Sequence, residues 1–507
     1  MSTAEHDHTP APLSTGALVL VTLSLALAVF MNVLDVSIAN VSIPTIAGNL
    51  GVSTSQGTWV ITSFAVANAI AVPVSGWMAK RVGEVKLFVW CTVLFTVFSF
   101  LCGISGSFVM LLVMRAAQGV VAGPMIPLSQ SLLLVNYPPE KRGFANGIWG
   151  MTAVVGPVAG PILGGWITDN ISWSWIFYIN VPFGIFAAAG TWFVLRNRET
   201  ETQRLPLDLV GLALLIVGVG ALQIMLDKGN DEAWFQSSFI VILAITATVF
   251  LSFFVVWELT DDNPVVDLKL FGRRNFTVAT LCVTFGFMTY FAGVVLLPLW
   301  LQNEQGYTPT WAGITTASLG LMGAIFSPIV GRLTDKIDIR IIVTFGMLLF
   351  ALLSFIKSDA NTDISFQRLF LTRLPWGIGL ACFFIPLITL SLKGLPSNKV
   401  ASASGLFNFM RLLALSFGTS LSVTLWDRRQ AFHDHILSAH TRISDPLTQQ
   451  WLNDAQAQGM SQQQSYGALA EEISRQSFMI GLNEMYFLAG CVFLGLTVLI
   501  WLSRPND

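Results

Sequence analysis

Apolar runs of about 20 residues, each long enough to cross the hydrocarbon of a bilayer, recur along almost the whole chain. They predict about fourteen membrane spans, near 16–38, 57–79, 86–105, 107–130, 143–168, 173–195, 207–226, 236–257, 276–300, 310–331, 340–357, 366–392, 401–425 and 479–502. An all-α membrane protein follows. Composition agrees, since 54% of the 507 residues are hydrophobic and 11% charged, where a soluble domain carries about 25% charged residues. A net charge of −2 gives no reason to expect a nucleic-acid partner. The cysteines (Cys91, Cys102, Cys282, Cys382 and Cys491) fall inside or at the edge of apolar runs without metal-ligand spacing, so neither a metal site nor a disulfide framework is expected. No G-x-x-x-x-G-K-[ST] loop is present, so ATP is not expected as the energy source and no cofactor is implied.

Cationic residues orient the spans. Lys80, Arg81, Lys86, Lys141, Arg142, Arg196, Arg198, Arg204, Lys269, Arg273, Arg274, Arg332, Lys336, Arg340, Lys393, Lys399 and Arg504 share one side if the N-terminus is cytoplasmic, and short loops on the other side hold only Lys228, Lys357 and Arg368. Both termini are therefore expected inside. The first 14 residues hold acids and histidines but no Lys or Arg, unlike a signal peptide, so the first span should remain as a helix. One stretch, 426–478, is polar and Gln-rich and lies outside by this count; it reads as a long loop, with Ala468–Phe478 as a short helix leading into the last span.

The span near 143–168 contains Gly156, Pro157, Gly160, Pro161 and Gly164. Glycines four residues apart share one helix face and admit a neighbouring backbone closely. The prolines remove hydrogen bonds and bend the helix. Such a face suits either plain tight packing or a gate between two halves that seals in one state and shifts in another. The chain also echoes itself. Thr58-Trp59, Pro73 and Gly76 followed by Lys80-Arg81-Val82-Gly83 parallel Thr310-Trp311, Pro328 and Gly331 followed by Thr334-Asp335-Lys336. Arg115 with Gly119, Gly123 and Pro127 parallels Arg373 with Gly377, Gly379 and Pro386. Two related halves are the sequence sign of an alternating-access transporter.

Together these residues resemble the major facilitator superfamily. Gly76–Lys86 and Gly331–Lys336 resemble its loop motif, with Gly76, Arg81 and Gly83 in the first copy and Gly331 and Asp335 in the second. Lys80 stands at the usual acidic position of the first copy. Arg115-Ala116-Ala117-Gln118-Gly119 resembles the family's helix-4 arginine motif. The run through Gly147, Gly156, Pro157, Gly160, Pro161 and Gly164 resembles its helix-5 antiporter motif. Leu34–Pro44 and Trp173–Gly184 are similar to the fourteen-helix drug:proton antiporters, and within them to the EmrB-type multidrug pumps, although Ser174 replaces the usual arginine. The resemblance implies a cytoplasmic tail (1–15), a six-helix bundle (16–195), two inserted helices with their loops (196–275), a second six-helix bundle (276–502, including loop 426–478) and a short cytoplasmic tail (503–507). It also implies an inner-membrane exporter with a periplasmic membrane-fusion adaptor and an outer-membrane channel as partners.

Asp35 is the one acid well inside a span, and an ionisable group there is a functional hypothesis by default. A carboxyl taken out of water can trade a proton, with Asn32 one turn earlier as a hydrogen-bond partner. The alternative is a solvated cap at the end of the helix. Arg115 cannot deprotonate, so it either pairs with a carboxylate, with Gln118 on the same face, or clamps carbonyls. Arg373 and Arg411 are weaker counterparts that can also snorkel. Gln130, Trp149, Gln223, Tyr290 and Asn408, with Asn32, Gln118 and Arg411, are candidates for lining a cavity. The expected function is proton-coupled export of hydrophobic or amphipathic drugs. A symporter or facilitator of a small metabolite is the alternative within the fold. A membrane-embedded enzyme is the alternative outside it, for which His433, His435, His440, Asp427 and Asp434 come nearest.

Overall fold

A computed structural model describes residues 13–203 and 206–504. Most of the N-terminal tail, Arg204 and residues 505–507 lie outside the described residues. Among the described residues, fourteen helices are long and apolar enough to cross a membrane. They are α1 (Thr15–Asn49), α2 (Trp59–Val82), α3 (Glu84–Gly103), α4 (Phe108–Asn136), α5 (Arg142–Asn170), α6 (Trp175–Leu195), α7 (Leu209–Lys228), α8 (Ser238–Thr260), α9 (Arg274–Asn303), α10 (Trp311–Thr334), α11 (Ile339–Lys357), α12 (Phe366–Leu392), α13 (Ser397–His440) and α14 (Gln462–Ile500). An even number of spans puts both chain ends on one face, here called the terminal end.

Helix starts follow side-chain capping. Ser14 accepts from the Ala17 N–H (3.3 Å), Asp208 from Gly211 (2.8 Å) and Ser365 from Arg368 (3.3 Å), each satisfying a donor that has no partner within its helix. α1, α2, α4, α5, α9, α10 and α12 each contain proline, which removes a backbone hydrogen bond within the helix.

Packing separates the chain into two groups. In the first half α1 packs on α5 and α6, α2 on α4, and α3 on α4 and α6. In the second, α9 packs on α13 and α14, α10 on α12, and α11 on α12 and α14. The groups meet where α5 lies on α10 and α12, and where α2 and α4 lie on α13. α8 packs chiefly on α7, and most of its side chains are exposed, as lipid contact requires.

The stretch 426–478 is not the expected loop. α13 runs unbroken to His440, a short helix spans Pro446–Ala457, and α14 begins at Gln462 within the Gln-rich tract, where Ser461 and Gln464 form a capping box. At 1.5 Å per residue, helices of 44 and 39 residues span about 66 and 58 Å, roughly twice the hydrocarbon thickness. They continue beyond the membrane as a hairpin clamped by Arg429, which makes two 2.6 Å bonds to Glu484, and by His433 at 3.0 Å from the same carboxylate. Thus His433, a member of the enzyme alternative, holds two helices together.

Candidate functional site

Asp35 lies in the middle of α1 with no solvent exposure, which removes the solvated-cap alternative. Arg115, also fully buried, comes from α4 and places Nη1 2.5 Å from Asp35 Oδ2. Its Nε donates to the Val60 carbonyl (3.1 Å), and Nη1 also reaches Gln118 Oε1 at 2.8 Å. The other Asp35 oxygen accepts from Asn180 Nδ2 of α6 (2.9 Å) and Gln118 Nε2 (3.3 Å). Asn180 in turn bonds Ser99 of α3 at 3.0 Å. Phe64 and Phe177 lie near the guanidinium carbon, their centroids at 4.3 and 5.5 Å. One carboxylate therefore ties together α1, α4 and α6, and through them α2 and α3. A buried ion pair is stable only when its remaining donors and acceptors are matched. Here Arg115 Nη2 and Asn180 Oδ1 remain unpaired, so the cluster retains unused polar capacity.

Asn32 does not join it. Its amide donates to the Ala122 carbonyl (2.9 Å), a tie between α1 and α4 rather than support for Asp35. Asn180 and Ser99 were not among the predicted residues. Asn180 lies within Trp173–Gly184, where a polar residue inside a span is the sequence signal for it.

The glycine face of α5 does not meet the other half either. A methyl group on Gly156, Gly160 or Gly164 would approach α1, at 2.7 Å from Val33 Cγ1, 2.6 Å from Ser37 Cβ and 2.7 Å from the Ile38 carbonyl oxygen. The face belongs to packing within one half, directly beside Asp35. The seal between halves uses other glycines of the α5–α10 pair. Gly147 approaches Ser327 and Gly331, Val154 fits against Gly323 and Val158 against Gly320. From Gly160 onward the close neighbour of α5 is α1.

Asp335, the acid of the second loop motif, accepts the Gly143 N–H at 3.0 Å, so it caps the start of α5 across the boundary. Burial raises it above the ordinary carboxylate value, against the lowering by hydrogen bonds from the Gly143 and Phe144 N–H groups. In the first motif Gly76 lies against Ser402 of α13, and a methyl group there would come 2.5 Å from the Ser402 Cα. Arg81 rests on Trp77 at 5.4 Å. Gly83, at φ 96°, lets Glu199 reach the Val85 and Lys86 N–H groups (2.9 Å each), so this carboxylate caps α3. Lys399 pairs with Asp267 at 3.4 Å.

The cavity candidates form a buried polar seam between the halves. Ser404 of α13 donates to Gln130, Asn146 donates to Thr389 (3.2 Å), and Trp149 donates to Ser129 (2.9 Å). Asn408 bonds the Ser404 carbonyl (2.9 Å) and accepts from Arg411 (3.3 Å), whose guanidinium carbon lies 5.4 Å from the Phe384 ring centroid. Arg411 is thus buried rather than snorkelling. Gln223 bonds Ser416 at 2.9 Å, joining α7 to α13. Tyr290 lies in an aromatic cluster with Phe287, Phe350 and Trp376. Lys357, assigned above to a short outer loop, is instead 7% exposed in the last turn of α11.

A profile of the Major Facilitator Superfamily matches residues 25–419. The multidrug export protein EmrB of Haemophilus influenzae is 52% identical over 495 residues, covering 97% of both chains. EmrB of Escherichia coli K12 is 50% identical over the same length and coverage. The fatty acid resistance protein FarB of Neisseria gonorrhoeae is 48% identical over 500 residues, again covering 97% of each. Among solved structures, the human organic anion transporter MFSD10 superposes with a TM-score of 0.58 at 15% identity, covering 96% of this chain and 98% of its own. The proton:xylose symporter XylE superposes at 0.60 with 14% identity and 96% coverage of both. These two likenesses speak for the fold alone.

Proposed function

The chain belongs to the Major Facilitator Superfamily and is a drug efflux transporter, and from that premise we propose that it expels hydrophobic or amphipathic toxic compounds in exchange for protons carried by Asp35. The observation that supports this reading is the buried Asp35–Arg115 pair, held by Gln118 and Asn180 at the meeting of three helices. Ionised, Asp35 neutralises Arg115 and draws α1, α4 and α6 together. Protonated, it leaves the guanidinium unbalanced, and the strongest bond of the cluster weakens. α1 is the relay, because its next turn, Ser37 and Ile38, lies on Gly160 and Gly164, while other residues of the same α5 seal against α10. A change at Asp35 thereby acts on the seal between halves through two packed helices. α5 and α10 are in close contact from the terminal end to mid-membrane, with Asp335 latching the start of α5.

In this reading, residues 16–195 and 276–502 are the two rocking units and 196–275 the insertion. Both termini face the cytoplasm, and the membrane is the inner membrane of a Gram-negative cell. The hairpin of α13 and α14 then stands in the periplasm, where it offers a rigid, polar surface to a membrane-fusion adaptor that continues to an outer-membrane channel. The test is a proteoliposome assay. An imposed proton gradient should drive drug movement, and added drug should drive proton movement in the opposite direction. Drug and proton moving together would favour the symporter, and drug movement indifferent to the gradient would favour the facilitator.

A further inference from the structure

The two halves differ in one respect that their repeat makes visible. Arg115 of the first half meets the carboxylate of Asp35. Its counterpart, Arg373 of α12, is also fully buried, but its Nη2 donates to the backbone carbonyl of Gly293 in α9 (2.6 Å), and Nη1 reaches only Thr316 (3.5 Å). Where the first half supplies an acid, the second supplies a glycine. A second cation lies close by. Lys357 of α11 has its ammonium 4.2 Å from the Trp376 ring centroid and 5.4 Å from that of Tyr486, whose hydroxyl lies beside Arg373. Neither cation forms an ion pair among the described residues, and Lys357 Nζ, Arg373 Nε, Trp300 Nε1 and Trp376 Nε1 are all buried without a hydrogen-bond partner. Each of these groups is a donor only. Lys357 Nζ and Trp300 Nε1 meet at one cavity, with Arg373 and the unpaired Tyr486 hydroxyl beside them, and this excess of buried donors over acceptors is the complement of an anion.

A route to Lys357 and Trp300 exists. A cavity of about 220 Å³ opens beside the α11–α12 connection, at the end opposite the termini. Lys357, Trp300 and Tyr486 line it together with apolar Leu297, Met479 and Leu482, and Asp359 and Arg368 also line it. The volume is below that of a drug-sized pocket. It suits an acid group and the first carbons of a chain.

We propose that Lys357 and Trp300, backed by Tyr486 and Arg373, form a binding site for the carboxylate of an amphipathic organic acid, reached from the far end of the molecule. The apolar residues beside Lys357 take the first part of the chain, and the bound carboxylate occupies in the second half the electrostatic role that Asp35 has in the first. The site's place in transport rests on the exporter reading; binding of the acid does not. The test therefore measures binding at equilibrium, without a proton gradient, so that a failed export assay and a failed binding assay are separate results.

Thermal unfolding of the full chain in neutral detergent is followed with decanoate, with decanol, and with sodium chloride at matched ionic strength. Decanoate is expected to raise the melting temperature where decanol and chloride do not. Lys357→Met should weaken the decanoate effect by about 10- to 100-fold in half-effect concentration, the worth of one hydrogen bond to a charged group. Lys357→Arg should retain most of it. Trp300→Phe keeps the ring and removes one donor, so it provides a milder variant should Lys357→Met fold poorly, and it should weaken the effect by a smaller factor. Equal shifts with decanoate and decanol would overturn the proposal. So would an undiminished decanoate shift in Lys357→Met or, if that variant does not fold, in Trp300→Phe. A shift reproduced by chloride alone would replace the organic acid with an inorganic anion.

Discussion

Replacing Asp35 with asparagine keeps the side chain's size, yet the three groups around it make the exchange costly. Arg115, Asn180 and Gln118 all point donors at the carboxylate, at 2.5, 2.9 and 3.3 Å. An asparagine has one acceptor, so one end must set an N–H against a donor. With its oxygen toward Arg115, its amide faces Asn180. Asn180 can turn its unpaired Oδ1 inward, but then gives up its bond to Ser99. The larger loss is electrostatic, because Arg115 stays buried with no counter-charge. Removing one member of a buried pair costs about 3–5 kcal/mol, and Asp35→Asn is placed near 3 because the neutral hydrogen bond to Arg115 survives. Arg115→Gln should cost a similar amount for the converse reason. In the double variant no charge is stranded, so the two losses should fall short of additivity by about 2 kcal/mol, roughly 30-fold in the unfolding equilibrium. Reversible denaturation of all four proteins in detergent measures the coupling, and drug-driven proton release in proteoliposomes measures the function, which both single variants should lack. Additive losses would refute the pair as a coupled unit. Proton-coupled transport by Asp35→Asn at the wild-type rate would refute its role as carrier.

Gly160→Leu and Gly156→Leu are expected to insert and fold poorly coupled, because added bulk pushes α1 from α5 beside Asp35, whereas Gly165→Ala, which would meet only Val41 at 3.8 Å, should transport normally; expression and transport rates together decide this. Asp335→Ala removes the acceptor that caps the start of α5 and should open the terminal end, read as a longer distance between spin labels on α5 and α10. Because Asp335 is raised in the latched form, the latch gains from pH below the ordinary carboxylate value of about 3.9 and loses that gain as pH rises through the raised value; the label distance should lengthen along that interval in the wild type and stay flat in the variant. Replacing residues 441–461 at the tip with a short linker, which spares the Arg429–Glu484 clamp, should leave proteoliposome transport intact and reduce co-purification with a periplasmic adaptor; full recovery of the complex would remove the docking role.

Hydropathy made the fourteen spans legible, because burial in lipid demands long uninterrupted apolar runs and little else produces them. Asp35 and Arg115 were legible for the related reason that a charge in such a run is rare enough to stand out. What remained hidden was direction around the helix axis. Spacing placed Gly156, Gly160 and Gly164 on one face without saying whether α1 or α10 lay against it. Asn32 was on the right face to reach Asp35, but the Ala122 carbonyl of α4 was nearer. Polarity also misled along 426–478. A helix outside the membrane needs no apolar run, so α13 and α14 lost their hydropathy signal while their backbone hydrogen bonding continued. Lys357 shows the converse error, since closeness to a span's end suggested solvent where the rings of Trp376 and Tyr486 cover it.

The bonds made by α7 bear on how such a molecule can open. At its far end Asp227 and Lys228 bond Thr62 of α2 and Thr58, which precedes that helix. On the opposite side, Gln223 and the Leu226 carbonyl bond Ser416 and Ser420 of α13. The loop after α7 adds Trp234 to Thr424 and Asn230 to Asp427. One rod is thus stitched to both halves along a single flank, as a spine is to two covers. If the halves rock as proposed, they part on the flank of α5 and α10, where the close contacts stop at mid-membrane, with the flank of α2 and α13 as the hinge line. A mouth of that shape is one-sided, and a lipid-dissolved molecule would meet it from the membrane plane on the α5–α10 flank before it met it from the water above.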